Sequence, residues 1–206
     1  MSRKETPSPQ PPPSGRGSRR VARAVEIGER VYLRFPTAAD RAELIALKRG
    51  SRKHLAPWEA SPVGGGDMFG AWWFGRFLKS SKTERSRRFV VCLRETGEII
   101  GQIGLGEISR GAFQSCYLGY WIGAKFSRQG LMSEAVRLTL RHAFTKLKLH
   151  RVEANIVPRN RASRGLARKV GMRYEGTAKR YLRIAGVWED HEHWAVTGEE
   201  WKVLAR

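Results

Sequence analysis

The sequence is short of cysteine, of acidic residues and of long apolar runs. Cys92 and Cys116 are its two cysteines. They stand apart in separate strand-like runs, with no metal-ligand spacing and no second pair. That excludes a zinc module or a disulfide framework, predicts two reduced core thiols and leaves no metal expected. No stretch approaches the roughly 20 apolar residues of a membrane span. The N-terminal segment also lacks the apolar core of a signal peptide, so a cytoplasmic protein with no membrane partner is predicted.

Acidic side chains number 19 against 39 lysines and arginines, a formal net charge of +20. Two readings of this excess stay open, a strongly solvated surface or attraction to a polyanion. No RNA-binding motif is present, so a contact with RNA would be electrostatic rather than base-reading. Two nucleotide fingerprints are missing as well. No Gly-Lys-Ser/Thr follows a Gly-bearing turn, which excludes a Walker loop, and no three spaced glycines follow a first strand, which excludes the dinucleotide signature.

What is present divides into a tail and one domain. Residues 1–24 carry Pro7, Pro9, Pro11, Pro12 and Pro13, serines, Arg16, Arg19 and Arg20, with almost nothing apolar. Such a segment cannot offset its ordering entropy, and a disordered basic tail is predicted, with one domain over 25–206. Within that domain Val31, Leu33 and Phe35 alternate as a first strand, and Thr37 to Asp40 suits a helix cap before Leu44, Ile45 and Leu47. A helix around 71–80 carries Trp72, Trp73 and Phe77. Phe89–Leu93 and Ile99–Leu105 flank a turn at 95–98, a hairpin signal.

The segment Phe126-Ser127-Arg128-Gln129-Gly130-Leu131-Met132-Ser133 is the most informative. It follows a strand-like run, Ser115 to Ile122, and opens a helix over 130–147 with Met132, Val136, Leu140, Ala143 and Leu147 as its buried stripe. Backbone N–H groups at such a helix start, with the positive end of the dipole, form a cradle for phosphate or pyrophosphate. Gly130 lets a ligand oxygen come close. The alternative reading is a turn that only redirects the chain. Further on, Val152, Ala154 and Ile156 alternate as a strand, Pro158 ends it, and Asn160 suits an N-cap. Ala162, Leu166 and Val170 form a helix face that stops at Gly171. The predicted order is β-α-α-β-β-β-α-β-α-β-β, an α/β fold of mixed strand direction.

The loop Ser127–Met132 resembles the coenzyme A pyrophosphate loop of the GNAT acyltransferases, Gln/Arg-x-x-Gly-x-Gly/Ala, and departs from it at Ser127 and Met132. Asn160-Arg161-Ala162-Ser163, followed by Lys169 through Gly176, is similar to the Rim-type ribosomal-protein-alanine N-acetyltransferases and their RimJ-like members. So are His54-Leu55-Ala56-Pro57-Trp58-Glu59, Arg110-Gly111-Ala112-Phe113 leading into Cys116–Tyr120, and Tyr181 through His191. The resemblance spans residues 27–200. It implies the GNAT fold, a mixed central sheet flanked by helices and splayed between Tyr120–Ile122 and Asn155–Val157. It implies acetyl-CoA as co-substrate and the N-terminal α-amine of a ribosomal protein as acceptor, in a monomer or dimer with an electrostatic contact to ribosomal RNA. Transfer to a small amine (aminoglycoside or polyamine) and a non-catalytic coenzyme A-binding module are the alternatives.

Transfer from a thioester to an amine requires deprotonation of the amine, a donor for the carbonyl, accommodation of the thiolate and positioning of both substrates. The resemblance assigns coenzyme A contacts to Tyr120, Trp121 and Ile122, to Arg128, Gln129, Gly130, Leu131, Met132 and Ser133, and to Asn155, Asn160 and Arg164. Ser163 matches the serine that donates to the departing sulfur in Rim-type relatives; otherwise it is a helix residue whose hydroxyl bonds nearby backbone. The tyrosine that many GNAT enzymes carry on this helix is missing, its place falling near Ala167. Glu107, at a strand end, and Glu59, beside Trp58, compete as the base. Trp58, Glu59 and Trp121 are the acceptor-side candidates.

Overall fold

The computed structural model describes residues 23–60, 62 and 64–204, so all but the last two residues of the predicted tail lie outside it. Elements follow in the order β1 (Glu26–Ile27), β2 (Val31–Arg34), α1 (Arg41–Gly50), α2 (Arg52–Leu55), α3 (Ala71–Lys79), β3 (Lys82–Thr83), β4 (Ser86–Leu93), β5 (Ile99–Ser109) and β6 (Ser115–Ile122). Then come α4 (Leu131–Arg141), β7 (Arg151–Ile156), α5 (Arg161–Lys169), β8 (Arg173–Ile184), β9 (Val187–Thr197) and α6 (Gly198–Leu204). The strands form one sheet in the order β1-β2-β4-β5-β6-β7-β9-β8, with β3 paired to β4.

Neighbouring strands run antiparallel except β6 and β7, whose connection passes through α4 and so returns β7 parallel to β6. That parallel ladder holds three pairs, Ser115↔Arg151, Cys116↔Val152 and Tyr117↔Glu153. Past Tyr117 and Glu153 the strands part. This is the splay expected between Tyr120–Ile122 and the end of β7.

Both faces of the central strands are covered, which explains their near-continuous apolar runs. On one face Phe89, Val91, Ile103 and Leu105 pack with Ala135, Val136 and Leu140 of α4 and Ala167 of α5. On the other, Tyr32, Val90, Cys92 and Ile99 meet Leu44 of α1 and Trp73, Phe74 and Phe77 of α3. Each fully buried large side chain contributes on the order of 1.5–3 kcal/mol. Both thiols are free and buried, and burial pushes Cys92 up to about 11 and Cys116 up to about 12, so neither is nucleophilic near neutrality.

The start of α1 is fixed by one carboxylate. Asp40 accepts from Thr37 N at 2.7 Å and takes the Arg34 guanidinium in two buried bonds of 2.7 and 2.8 Å. The helix expected over 130–147 is α-helical only to Arg141 and continues as a π-helical turn, His142–Lys146. The change of pitch brings Arg141 and His142 together onto Glu26 of β1, at 2.7 and 3.3 Å. β1, β3, α2 and α6 do not follow from the local sequence pattern; two of them are two-residue strands, too short to show a period.

Candidate functional site

The chain leaves β6, passes a 3-10 turn at Ala124–Phe126 and enters α4 through Gly130. Gly130 has φ +77°, a conformation natural to glycine, and Arg128 before it also lies in the left-handed region at φ +62°. The first bond internal to the helix is Glu134 N to Gly130 O at 3.2 Å, so the N–H groups of Leu131, Met132 and Ser133 precede the ladder. Arg30 braces the turn by donating to Gln129 O at 3.0 Å. Three N–H groups thus open the helix outside its ladder, with the exposed Arg128 beside them.

Across the splay, Asn160 caps α5 by accepting from Ser163 N at 3.1 Å. The cap thus uses the backbone of Ser163 and leaves its hydroxyl to face Tyr120 from β6. Burial raises the Tyr120 pKa, and the nearby Ser163 hydroxyl lowers it by less. The two groups approach without meeting hydrogen-bond geometry, and Tyr120 Oη is an enclosed, unpartnered polar atom. So is Asn155 Oδ1 on β7, whose amide nitrogen reaches Tyr181 Oη at 3.5 Å. Unpartnered buried polar atoms are costly, and one stands on each of the two strands that the splay separates. Ala167, where a tyrosine was missed, is buried; the phenol in this region comes from Tyr120 on the opposite wall.

On the sheet face covered by α1 and α3, the splay opens into a cavity of about 410 Å³. Gln102, Gly104, Gly106 and Glu107 of β5, Tyr117 and Gly119 of β6, Asn155, Tyr181 and Leu182 line it, with Arg88 of β4. Glu107 sits in a bulge of β5 at φ +48°, not at the strand's end, and its exposed carboxylate pairs with Arg85. The hydrogen bond with Tyr181, then burial, pushes Tyr117 up to about 12. Trp121 donates from Nε1 to Gln102 at 3.0 Å and meets Trp73 edge-on. A hollow of about 460 Å³ on the outside of α1 holds none of these groups.

Three sequence candidates have internal partners that the sequence did not disclose. Glu59 takes the ammonium of Lys48 at 2.8 Å, and Lys48, 1% exposed, lies over the Trp73 ring at 4.1 Å. The Glu59 carboxylate therefore neutralises an interior cation and does not line the cavity. Arg164 pairs with Glu192 at 2.8 Å and donates to Pro158 O, so its guanidinium is drawn toward β9 and away from a phosphate role. Trp58 lies under Arg159, which also binds Glu189 at 2.6 Å and so ties the loop after α2 to the C-terminal hairpin.

Residues 30–173 match the family model described as an acetyltransferase (GNAT) domain. The chain is a GNAT acetyltransferase. It is 33% identical over 177 residues to the [ribosomal protein uS5]-alanine N-acetyltransferase of Escherichia coli, covering 84% of this chain and 90% of that relative. It is 44% identical over 98 residues to the probable N-acetyltransferase YjcK of Bacillus subtilis, and that match spans 54% of the relative's length. Among solved structures, Mycobacterium smegmatis RimJ in complex with CoA-disulfide superposes with a TM-score of 0.75 at 30% identity, over 85% of this chain and 90% of that one. The GNAT membership makes this chain an N-acetyltransferase. Among the described residues no helix is long and apolar enough to cross a membrane.

The geometry of this GNAT enzyme divides the chemistry. Tyr120 of β6 and Ser163 of α5 face each other on the side of the sheet packed against α4 and α5. The cavity with Glu107 opens on the opposite face.

Proposed function

We propose that this enzyme transfers an acetyl group from acetyl-CoA to the N-terminal α-amine of a protein, with a ribosomal protein as the acceptor class. The observation that carries this reading is the charge of the acceptor cavity: its lining contains one carboxylate, Glu107, and one guanidinium, Arg88. A polyamine or aminoglycoside needs several carboxylates, whereas a peptide N-terminus brings a single ammonium. The extensive likeness to ribosomal-protein-alanine N-acetyltransferases supports the same class.

Acetyl-CoA supplies the activated thioester. The N–H groups of Leu131, Met132 and Ser133, with Gln129 and Arg128, would hold its pyrophosphate. Tyr120, Trp121, Ile122, Asn155 and Asn160 would line the arm. An α-amine has a pKa near about 8, so a sizeable fraction reaches the site neutral. Glu107 receives the proton lost from the amine, directly or through water, and Ser163 donates to the sulfur as the C–S bond breaks. Glu59 acts by holding Lys48, and Trp58 shapes the acceptor loop. The charge of +20 suits an electrostatic contact with ribosomal RNA in the cytoplasm.

The test is thiol release from acetyl-CoA with peptides beginning in Ala or Ser, spermidine and an aminoglycoside as acceptors, with mass spectrometry of the products. A peptide acetylated on its α-amine is the expected product. Turnover with the small amines alone would overturn the assignment.

A further inference from the structure

The guanidinium of Arg88 differs from the other enclosed arginines. Arg34 is neutralised by Asp40, Arg151 by Glu153 and Glu175, and Arg164 by Glu192. Arg88 makes an ion pair with no carboxylate among the described residues. Glu107, the only acidic residue that lines the same cavity, is taken by Arg85. Burial lowers the pKa of Arg88, Glu107 offsets this in part, and the charge of Arg76 adds to it.

The sheet register explains how the side chain reaches the cavity. Arg88 on β4, Gly104 on β5 and Gly119 on β6 lie in one row across three strands. A Cβ at Gly104 would come within 2.9 Å of Arg88 Cγ, so the missing side chain lets the arginine stem lie across β5. A Cβ at Gly119 would meet nothing within 4 Å, so the floor beyond stays open toward the splay. All three residues line the cavity, and no residue of the 127–133 loop does. The cation therefore faces the acceptor side, away from the phosphate cradle.

We propose that Arg88 is an anion subsite of the acceptor cavity and binds a carboxylate side chain carried by one of the first residues after the acceptor's N-terminal amine. The subsite rests on the reading of the acceptor as a protein N-terminus. A partly desolvated guanidinium gains most from a full opposite charge in two parallel hydrogen bonds, which an Asp or Glu provides and a backbone carbonyl does not. The same cation repels a second ammonium, so one residue both selects acidic N-termini and rejects polyamines.

The experiment measures kcat/KM for peptides beginning with Ala and carrying Asp or Glu, Asn or Gln, or Lys at positions two, three and four. The wild-type enzyme should favour the acidic peptide over the amide peptide by about tenfold at one of these positions, the scale of one charge-assisted hydrogen bond. Arg88→Gln should flatten the series and Arg88→Glu should turn it toward Lys, with the KM for acetyl-CoA unchanged. Should either variant fail to fold, the wild-type series with Arg88→Lys decides. Peptide turnover with no charge preference at any position overturns the subsite and leaves the N-terminal reading standing. A shift in acetyl-CoA KM with an unaltered peptide series also overturns it. Turnover of spermidine with none of any peptide overturns both.

Discussion

Glu59→Gln tests whether that carboxylate serves the substrate or the fold. Lys48 Nζ lies 2.8 Å from Glu59 Oε1 and 4.1 Å from the centre of the Trp73 ring, with 1% of its surface exposed. After the substitution the ammonium keeps its aromatic neighbours but loses its counter-ion. Removing one partner of an enclosed pair costs about 3–5 kcal/mol; because Glu59 keeps 20% exposure, about 2–3 kcal/mol is expected here. At about 2–4 °C per kcal/mol for a chain of this size, Tm falls by about 5–10 °C. Lys48→Met combined with Glu59→Gln removes the stranded charge and fills its volume, so the double variant recovers most of the loss. Burial already lowers the Lys48 pKa against the pull of Glu59, and losing Glu59 lowers it further. In the window between that lowered value and the ordinary lysine value of about 10.4, the unfolded chain binds more protons. The single variant should therefore gain stability as pH rises through this window. Thermal unfolding by calorimetry at several pH values reads all of this. If Glu59→Gln unfolds like wild type while its kcat loses activity at pH 7 and regains it at pH 9, the structural role is wrong and Glu59 is the base.

Ser163→Ala should reduce kcat by the equivalent of about 2–3 kcal/mol with little change in acetyl-CoA affinity or Tm, because the Asn160 cap uses the backbone N–H that alanine retains. Unchanged turnover would remove the hydroxyl from catalysis. Gly130→Asp, at φ +77° and in the cradle, should weaken acetyl-CoA binding by at least about 1.4 kcal/mol, or tenfold, in titration calorimetry. Equal affinity would place the phosphates elsewhere. Burial pushes the Asp40 carboxyl up, but the Arg34 and Thr37 hydrogen bonds outweigh it and hold the pKa below the usual range. Its stabilisation is complete above pH about 4 and lost as pH falls through the lowered value, so Asp40→Asn should flatten the acid limb of a stability–pH curve.

What the sequence made legible was governed by neighbours a few residues apart. Asn160 is an N-cap because Ser163 is three residues away, and the strand-like run Ser115–Ile122 coincides with β6. The turn into α4 was readable for the same reason, with Gly130 before an apolar stripe. The pairings that define the site join residues far apart in the chain. Arg164 meets Glu192 and Arg159 meets Glu189 only after β9 has returned beside β7. Tyr120 faces Ser163 across a gap that only the parallel seam creates. Lys48 was the least legible, because on a helix wheel it reads as an ordinary solvated charge. Its burial depends on Trp73 and Phe69 arriving from another segment.

The parallel ladder that stops at Tyr117 and Glu153 gives the molecule a built-in reporter. Along residues 115–117 the amides on the β7 side of β6 are locked by the seam, whatever else is bound. Along 118–122 the amides on that same side look into the gap and answer to its contents. Exchange with deuterated solvent should therefore divide this one strand into two regimes three residues from its start. The slow half measures the integrity of the sheet, and the fast half measures the presence of anything that bridges β6 to β7.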